Sequence, residues 1–174
     1  SYAITMKKTK ISILNRTFEV VTNEAQDRDG YEQFWNLVNS GLWEANTFQI
    51  LENFVTPDVV YLDIGAWIGP TFLFAAQASK VAYGFEPDPK AYASLAGNLS
   101  INSSERWFKR ANIDNVAISA QNANVRIGNR SAVGDSTSSS LFFNEPNSWT
   151  AKGINLIEFM HKENIGSDRL HLKI

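Results

Sequence analysis

An aspartate and two glycines form the first group of residues whose spacing suggests chemistry. Asp63, Gly65 and Gly69 follow an apolar run, residues 59–62, that is typical of the end of a buried strand. A carboxylate at the carboxyl end of an apolar strand is costly unless something bonds to it, and ligands bind at that edge of open α/β sheets. The glycines would let the backbone pass close to a bound molecule, but a tight strand-to-helix turn explains them equally well.

A second carboxylate makes the pattern more specific. Glu86 follows the strand-like run 81–85, about twenty residues after the first loop, where an acidic side chain can accept hydrogen bonds from both hydroxyls of a ribose. Three residues separate Gly65 from Gly69, so the loop differs from the dinucleotide pattern GxGxxG, and no lysine follows Gly69 as in a phosphate loop. The two segments together predict a ribose-containing ligand.

The other segments alternate between strand-like and helical patterns, which predicts an α/β sheet. Before Asp63 we expect a hairpin, with strands at 11–14 and 17–21, and two helices at 31–38 and 44–55. After it we expect helices at 70–78 and 90–99, a strand at 113–118, a hairpin with strands at 125–127 and 140–143, a helical turn within 154–160 and a final strand at 168–174.

Composition narrows the classes of function. The chain has 174 residues, a formal net charge of −2 and no cysteine, so disulfides and cysteine-based zinc sites or nucleophiles are excluded. The near-neutral charge argues against nucleic acid or an anionic membrane as the main partner, because such partners need a basic face. No long apolar run or signal sequence is present, which favours a cytoplasmic protein.

Three ordered motifs resemble the class I S-adenosylmethionine-dependent methyltransferases, and among them the FkbM-type family. They are the DIGAWIG loop at 63–69, the GFEPDP turn at 84–89 and the NVAIS segment at 115–119. The resemblance covers the chain from about Glu44 onward. It implies a Rossmann-like methyltransferase sheet with helices on both faces, preceded by the N-terminal hairpin and helices, and S-adenosylmethionine as the cofactor.

The resemblance implies how the first motif would bind that cofactor. The loop would pass under the methionine part, so that Gly65, Ala66 and Gly69 present their backbone to it. Asp63 would organise the loop and bond to the ammonium group, directly or through water.

The remaining binding residues implied by the resemblance come from four other segments. Glu86 would hold the ribose hydroxyls, and Asn115 and Ala117 would flank the adenine. Thr71, after Pro70, and Glu44 are candidates for the methionine end.

Two features depart from the family pattern. Trp67 stands where family members often have asparagine, and the bulky indole is expected to narrow the site. The family's fourth strand continues from a Leu-Lys-Ile run into an acidic motif, whereas Ile174 is the last residue here. We therefore expect residues 1–174 to be a single, incomplete methyltransferase domain that lacks the C-terminal strands, with 1–43 as an N-terminal extension.

No residue of the sequence stands out as a catalytic base, and no metal site is predicted. His161 and His171 are the only histidines, and surface or strand-packing roles explain both. The family suggests a small-molecule acceptor, such as a hydroxyl of a sugar. A Rossmann-type NAD(P)-dependent oxidoreductase or epimerase, and a non-catalytic cofactor-binding module, remain as alternatives.

Overall fold

The computed structural model describes residues 6–22, 30–129, 134 and 136–174. Nine strands lie in these ranges: β1 (Lys7–Ile13), β2 (Arg16–Thr22), β3 (Val60–Ile64), β4 (Val81–Phe85), β5 (Ala111–Asp114), β6 (Ala117–Ser119), β7 (Asn124–Asn129), β8 (Asn147–Asn155) and β9 (Leu170–Lys173). Five α-helices accompany them: α1 (Tyr31–Asn39), α2 (Ala45–Phe54), α3 (Pro70–Ala76), α4 (Pro89–Ser100) and α5 (Leu156–Lys162). Short 3-10 turns occupy Arg106–Arg110 and Ser140–Phe142.

The central sheet has four parallel strands in the order β5-β4-β3-β9. Its register places Asp63 of β3 opposite Gly84 of β4 on one side and Lys173 of β9 on the other. Because parallel strands end at the same edge, the loops after β3 and β4 emerge side by side. The predicted α/β, Rossmann-like architecture is confirmed.

Alternating residues of β3 face opposite sides of the sheet, and helices cover both sides. Tyr61 belongs to a core that also contains Phe72 of α3 and Leu95 of α4. Leu62 belongs to a second core, which Phe159 of α5 covers. The prediction of helices on both faces is therefore confirmed.

The predicted N-terminal hairpin forms as β1 paired with β2, in a two-stranded sheet of its own. Two buried asparagines, Asn98 of α4 and Asn102 just after this helix, hold β2: Asn98 Oδ1 accepts from the N–H of Val21 at 2.8 Å, and Asn102 Oδ1 accepts from the N–H of Glu19 at 2.9 Å. These asparagines satisfy backbone groups that an unpaired strand edge would expose.

A third sheet has three strands in the order β6-β8-β7, and its strands come after β5 and before β9 in the sequence. The strand predicted at 140–143 is wrong: this segment is a 3-10 turn with Leu141 and Phe143 exposed. The partner of β7 is β8, a strand that was not predicted from the sequence. Buried and exposed residues alternate in β8 around Ala151. The strand predicted at 113–118 is divided into β5 and β6 because Asn115 leaves the sheet to bond the backbone of Glu86.

No helix within the described ranges combines the length and the apolar character that crossing a membrane requires.

Candidate functional site

Asp63 lies at the carboxyl end of β3 and is fully buried. Its Oδ2 accepts hydrogen bonds from the hydroxyls of Thr71, at 2.6 Å, and Tyr61, at 2.9 Å. Burial raises the pKa of Asp63, while the ammonium of Lys173 and the two hydroxyls act in the opposite direction. Thr71, a predicted site residue, therefore acts on Asp63, and Tyr61 is an additional partner that the sequence reasoning missed.

The second oxygen of Asp63 has a different environment. Oδ1 is buried and accepts no hydrogen bond from any described residue. The nearest cation is Nζ of Lys173, at 3.7 Å, which is within ion-pair range but too long for a hydrogen bond. Lys173 ends β9, and its register opposite Asp63 explains the contact. Only the pairing of β3 with a strand more than a hundred residues later reveals this neighbour, so the sequence carried no local signal for it.

Glu86 lies at the end of β4 and is 6% exposed. Its Oε2 accepts from the backbone N–H of Trp67 and its Oε1 from that of Asp88, both at 2.8 Å. Burial raises the pKa of Glu86 to about 7, although these two N–H groups favour the ionised form. A carboxylate has about four acceptor positions, so two backbone bonds leave both oxygens able to accept from a ligand hydroxyl.

The loop from β3 to α3 turns through three residues with positive φ: Gly65 at 75°, Trp67 at 53° and Gly69 at 104°. A Cβ at Gly65 would meet no atom within 4 Å, so the backbone faces open space there. A Cβ at Gly69 would lie 2.8 Å from Cδ1 of Leu95. Gly69 is therefore required by its φ and by close packing of the loop on α4, rather than by an approach to the cleft.

The indole of Trp67, which is expected to narrow the site, lies against helix α1. Its ring packs edge-on against Phe34 and Tyr31 of α1, with centroids 4.5 and 5.7 Å away, and its Nε1 donates to the carbonyl of Gly134 at 2.9 Å. The Tyr31 hydroxyl donates to the same carbonyl at 2.8 Å. The indole thus joins α1 to Gly134.

A cavity of about 420 Å³ lies beside this loop. Its lining includes five of the predicted site residues: Glu44, Gly65, Ala66, Thr71 and Glu86. Lys173, Trp43 and Trp67 also line it. Glu44 itself is exposed and precedes α2 with a left-handed backbone, φ 43°.

A neighbouring cavity, also of about 420 Å³, lies on the other side of Gly65 and Pro87. Ala117, a predicted site residue, lines it together with Phe85 and the rest of the segment 116–120. The two cavities share Gly65, Ile64, Pro87 and Ser138, so they form two compartments of one groove along the strand ends. One compartment is lined largely by apolar residues and the other carries the charged groups.

Besides Gly69, two predicted residues do not line the groove. Asn115 donates from Nδ2 to the carbonyl of Glu86 at 2.7 Å and so fixes the end of β4, and Asp63 lies behind Thr71 and Lys173. No group of three or more histidine or acidic side chains arranged to hold a metal ion is found in the described part of the chain. His171 packs against Tyr61 with ring centroids 5.8 Å apart, and burial lowers its pKa.

Comparison with known proteins finds similarity only among solved structures. No protein-family model matches the chain, and no curated protein matches it. Three similar structures are P. horikoshii TYW2 in complex with MeSAdo (16% identity, TM-score 0.41, 66% of this chain), aTrm5 in complex with tRNALeu (20%, 0.37, 64%) and the M. jannaschii tRNA m1G37 methyltransferase (17%, 0.36, 71%). The chain spans less than half the length of each, at 37%, 29% and 44%.

One expectation is corrected by these comparisons. The near-neutral net charge led us to exclude nucleic acid as a partner, and that exclusion is wrong, because one of the proteins with a similar fold, aTrm5, was solved bound to tRNALeu. Net charge averages over the whole surface, whereas a nucleic acid responds to the local arrangement of charge.

Proposed function

We propose that this chain forms the S-adenosylmethionine-binding part of a class I methyltransferase. The observation that carries the proposal is the pair of buried carboxylates at the ends of adjacent parallel strands. Asp63 and Glu86 stand on either side of the Gly65 loop, beside a groove with one apolar and one charged compartment. That order of groups corresponds to the adenine, ribose and methionine parts of the cofactor.

The residues present fit this ligand. Glu86 retains acceptor capacity on both oxygens for the ribose hydroxyls. The segment 116–120 offers an apolar wall for adenine, and Gly65 leaves open backbone beside it. Oδ1 of Asp63 is a buried acceptor without a hydrogen-bond donor, which an ammonium group near Thr71 could satisfy alongside the long contact to Lys173.

When bound, the cofactor would supply an activated methyl group on a sulfonium, which leaves the protein mainly to position the acceptor and exclude water. Trp43 and Trp67 wall the charged compartment and would reduce water access there. Assignment to the FkbM-type family, and a hydroxyl of a sugar or similar small molecule as the acceptor, are finer parts of the proposal. They rest on the three motifs alone.

The deciding experiment is titration calorimetry with S-adenosylhomocysteine and, separately, with NAD. We expect S-adenosylhomocysteine to bind and NAD not to bind. Binding of NAD alone would favour the oxidoreductase alternative and refute the proposal.

A transfer assay separates an enzyme from a non-catalytic module. Labelled S-adenosylmethionine would be offered with hydroxylated small molecules and with transfer RNA, because proteins of similar fold include a tRNA methyltransferase. Cofactor binding without transfer to any of these acceptors would favour the binding-module alternative.

A further inference from the structure

Lys173 is a charged side chain of the groove to which the family resemblance assigns no role. It lies at the end of β9, its side chain is 26% exposed, and it lines the charged compartment together with Glu44, Thr71 and Glu86. A lysine that is largely withdrawn from water needs a nearby anion to offset its lost hydration. Asp63 supplies that anion at 3.7 Å.

In the ion pair of Asp63 and Lys173, the lysine has more hydrogen-bonding capacity than the aspartate uses. Asp63 is completely buried, and its Oδ1 receives only the long contact from Lys173. An ammonium carries three N–H donors, and at most one of them can be directed at Oδ1. The remaining donors of Lys173 are therefore available to a ligand in the compartment.

The charges of this compartment are complementary to an amino-acid end group. Among the described lining residues, the cation is Lys173, and the carboxylates are Glu86, already bonded to two backbone N–H groups, and the exposed Glu44. A ligand with both a carboxylate and an ammonium would place the former at Lys173 and the latter at Glu44 or Asp63. A ligand with neither charge would leave Lys173 without a new partner.

We infer that Lys173, anchored by Asp63, binds the carboxylate of the cofactor's amino-acid end and makes the groove selective for ligands that carry it. The inference rests on the proposed function, because it concerns one part of the same cofactor. It adds Lys173 to the residues that bind the cofactor. It also predicts that cofactor-derived ligands with the amino-acid end bind more tightly than those without it.

The test compares two probes on the same protein preparation. S-adenosylhomocysteine has adenine, ribose and the amino-acid end, whereas 5′-methylthioadenosine lacks the amino-acid end. Titration calorimetry of the wild-type chain should give tighter binding for S-adenosylhomocysteine. In Lys173→Met that preference should fall by about tenfold, since a charge-assisted contact is lost, while 5′-methylthioadenosine binds as before.

Two variants serve as controls. Lys173→Arg keeps the positive charge and should retain most of the preference. Lys80→Met removes an exposed lysine at the opposite, amino-terminal end of β4 and should leave both affinities unchanged. Because the preference is a ratio measured on one preparation, partial unfolding of Lys173→Met cancels from it.

Each outcome decides the inference. If Lys173→Met keeps the preference unchanged, or loses affinity equally for both ligands, the role of Lys173 is overturned and the proposed function stays intact. If the wild-type chain binds neither probe, the proposed function fails, and the inference fails with it.

Discussion

The backbone N–H of Trp67 donates a hydrogen bond of 2.8 Å to Oε2 of Glu86. The loop after β3 is thereby fastened to the end of β4, and the two segments that sequence analysis singled out separately form one structural unit. A carboxylate that organises the loop and also faces the groove couples loop geometry to ligand binding. Several consequences can be measured.

Glu86→Ala should weaken binding of S-adenosylhomocysteine by about 1.5 to 3 kcal/mol, because it removes the charged acceptor for the ribose hydroxyls. Titration calorimetry measures the change, and a melting curve shows whether the loop remains folded. Glu105→Ala, at an exposed glutamate whose side chain caps no helix, is the matched control and should bind as the wild type does. Equal affinities for wild type and Glu86→Ala would show that the ribose lies elsewhere.

Affinity for S-adenosylhomocysteine should also depend on pH. Because the pKa of Glu86 is raised to about 7, its carboxyl is largely protonated at pH 6 and largely ionised at pH 8. The ionised form is the better acceptor, so affinity should increase between pH 6 and 8 and level off above that range. Glu86→Gln cannot ionise and should lose this dependence. A pH profile that is the same in both proteins would contradict the assignment.

Stability should change with pH in the opposite direction. The folded state holds the proton of Glu86 up to about pH 7, whereas the unfolded chain releases it near the ordinary value of 4.5. The folded state therefore binds more protons between these values, and its free energy of unfolding should fall as pH rises through this window, by up to about 3 kcal/mol from this group.

Urea denaturation of wild type and Glu86→Gln at pH 5 and pH 8 isolates the contribution of Glu86 to the pH dependence of the free energy of unfolding. The free energy of unfolding of Glu86→Gln, relative to that of the wild type, should be higher at pH 8 than at pH 5. A shift in favour of the wild type would mean that the carboxylate is stabilised, not destabilised, by its surroundings.

Gly69→Ala should destabilise the fold by about 2 to 4 kcal/mol. The new Cβ would combine left-handed backbone strain with an approach of 2.8 Å to Leu95 in a close-packed core. Gly65→Ala is the matched variant: its φ is also positive, at 75°, but no atom lies within 4 Å, so about 1 kcal/mol of backbone strain is expected. Chemical denaturation should rank the two in this order, and the reverse ranking would refute the packing explanation.

Asn98→Ala should lower the free energy of unfolding by about 2 to 3 kcal/mol. The amide is buried and bonds two backbone groups from different segments, the N–H of Val21 and the carbonyl of Ile68, at 2.8 and 2.9 Å. Its loss would leave both without their partner. Asn46→Ala, at an exposed position of α2, should change stability by less than about 0.5 kcal/mol. Similar values for the two variants would show that the hairpin is held by apolar contacts alone.

Much of the fold was predictable because it follows from local patterns. Strand β4 was predicted at the bounds that it has, since an apolar run ended by an acid and two prolines leaves little freedom. The same local logic placed Asp63 and Glu86 at strand ends. It failed at 140–143, where apolar residues form an exposed turn, because apolar character alone does not determine whether a segment finds a partner.

The sequence by itself determined that two carboxylates and a glycine loop meet at one edge of a parallel sheet, because parallel strands end together wherever they pair. Only the tertiary structure decided which neighbours those carboxylates have. Lys173 reaches Asp63 because β9 pairs with β3, and Trp67 joins the wall because α1 lies beside the loop. Such contacts depend on packing between distant segments, and no local spacing encodes them.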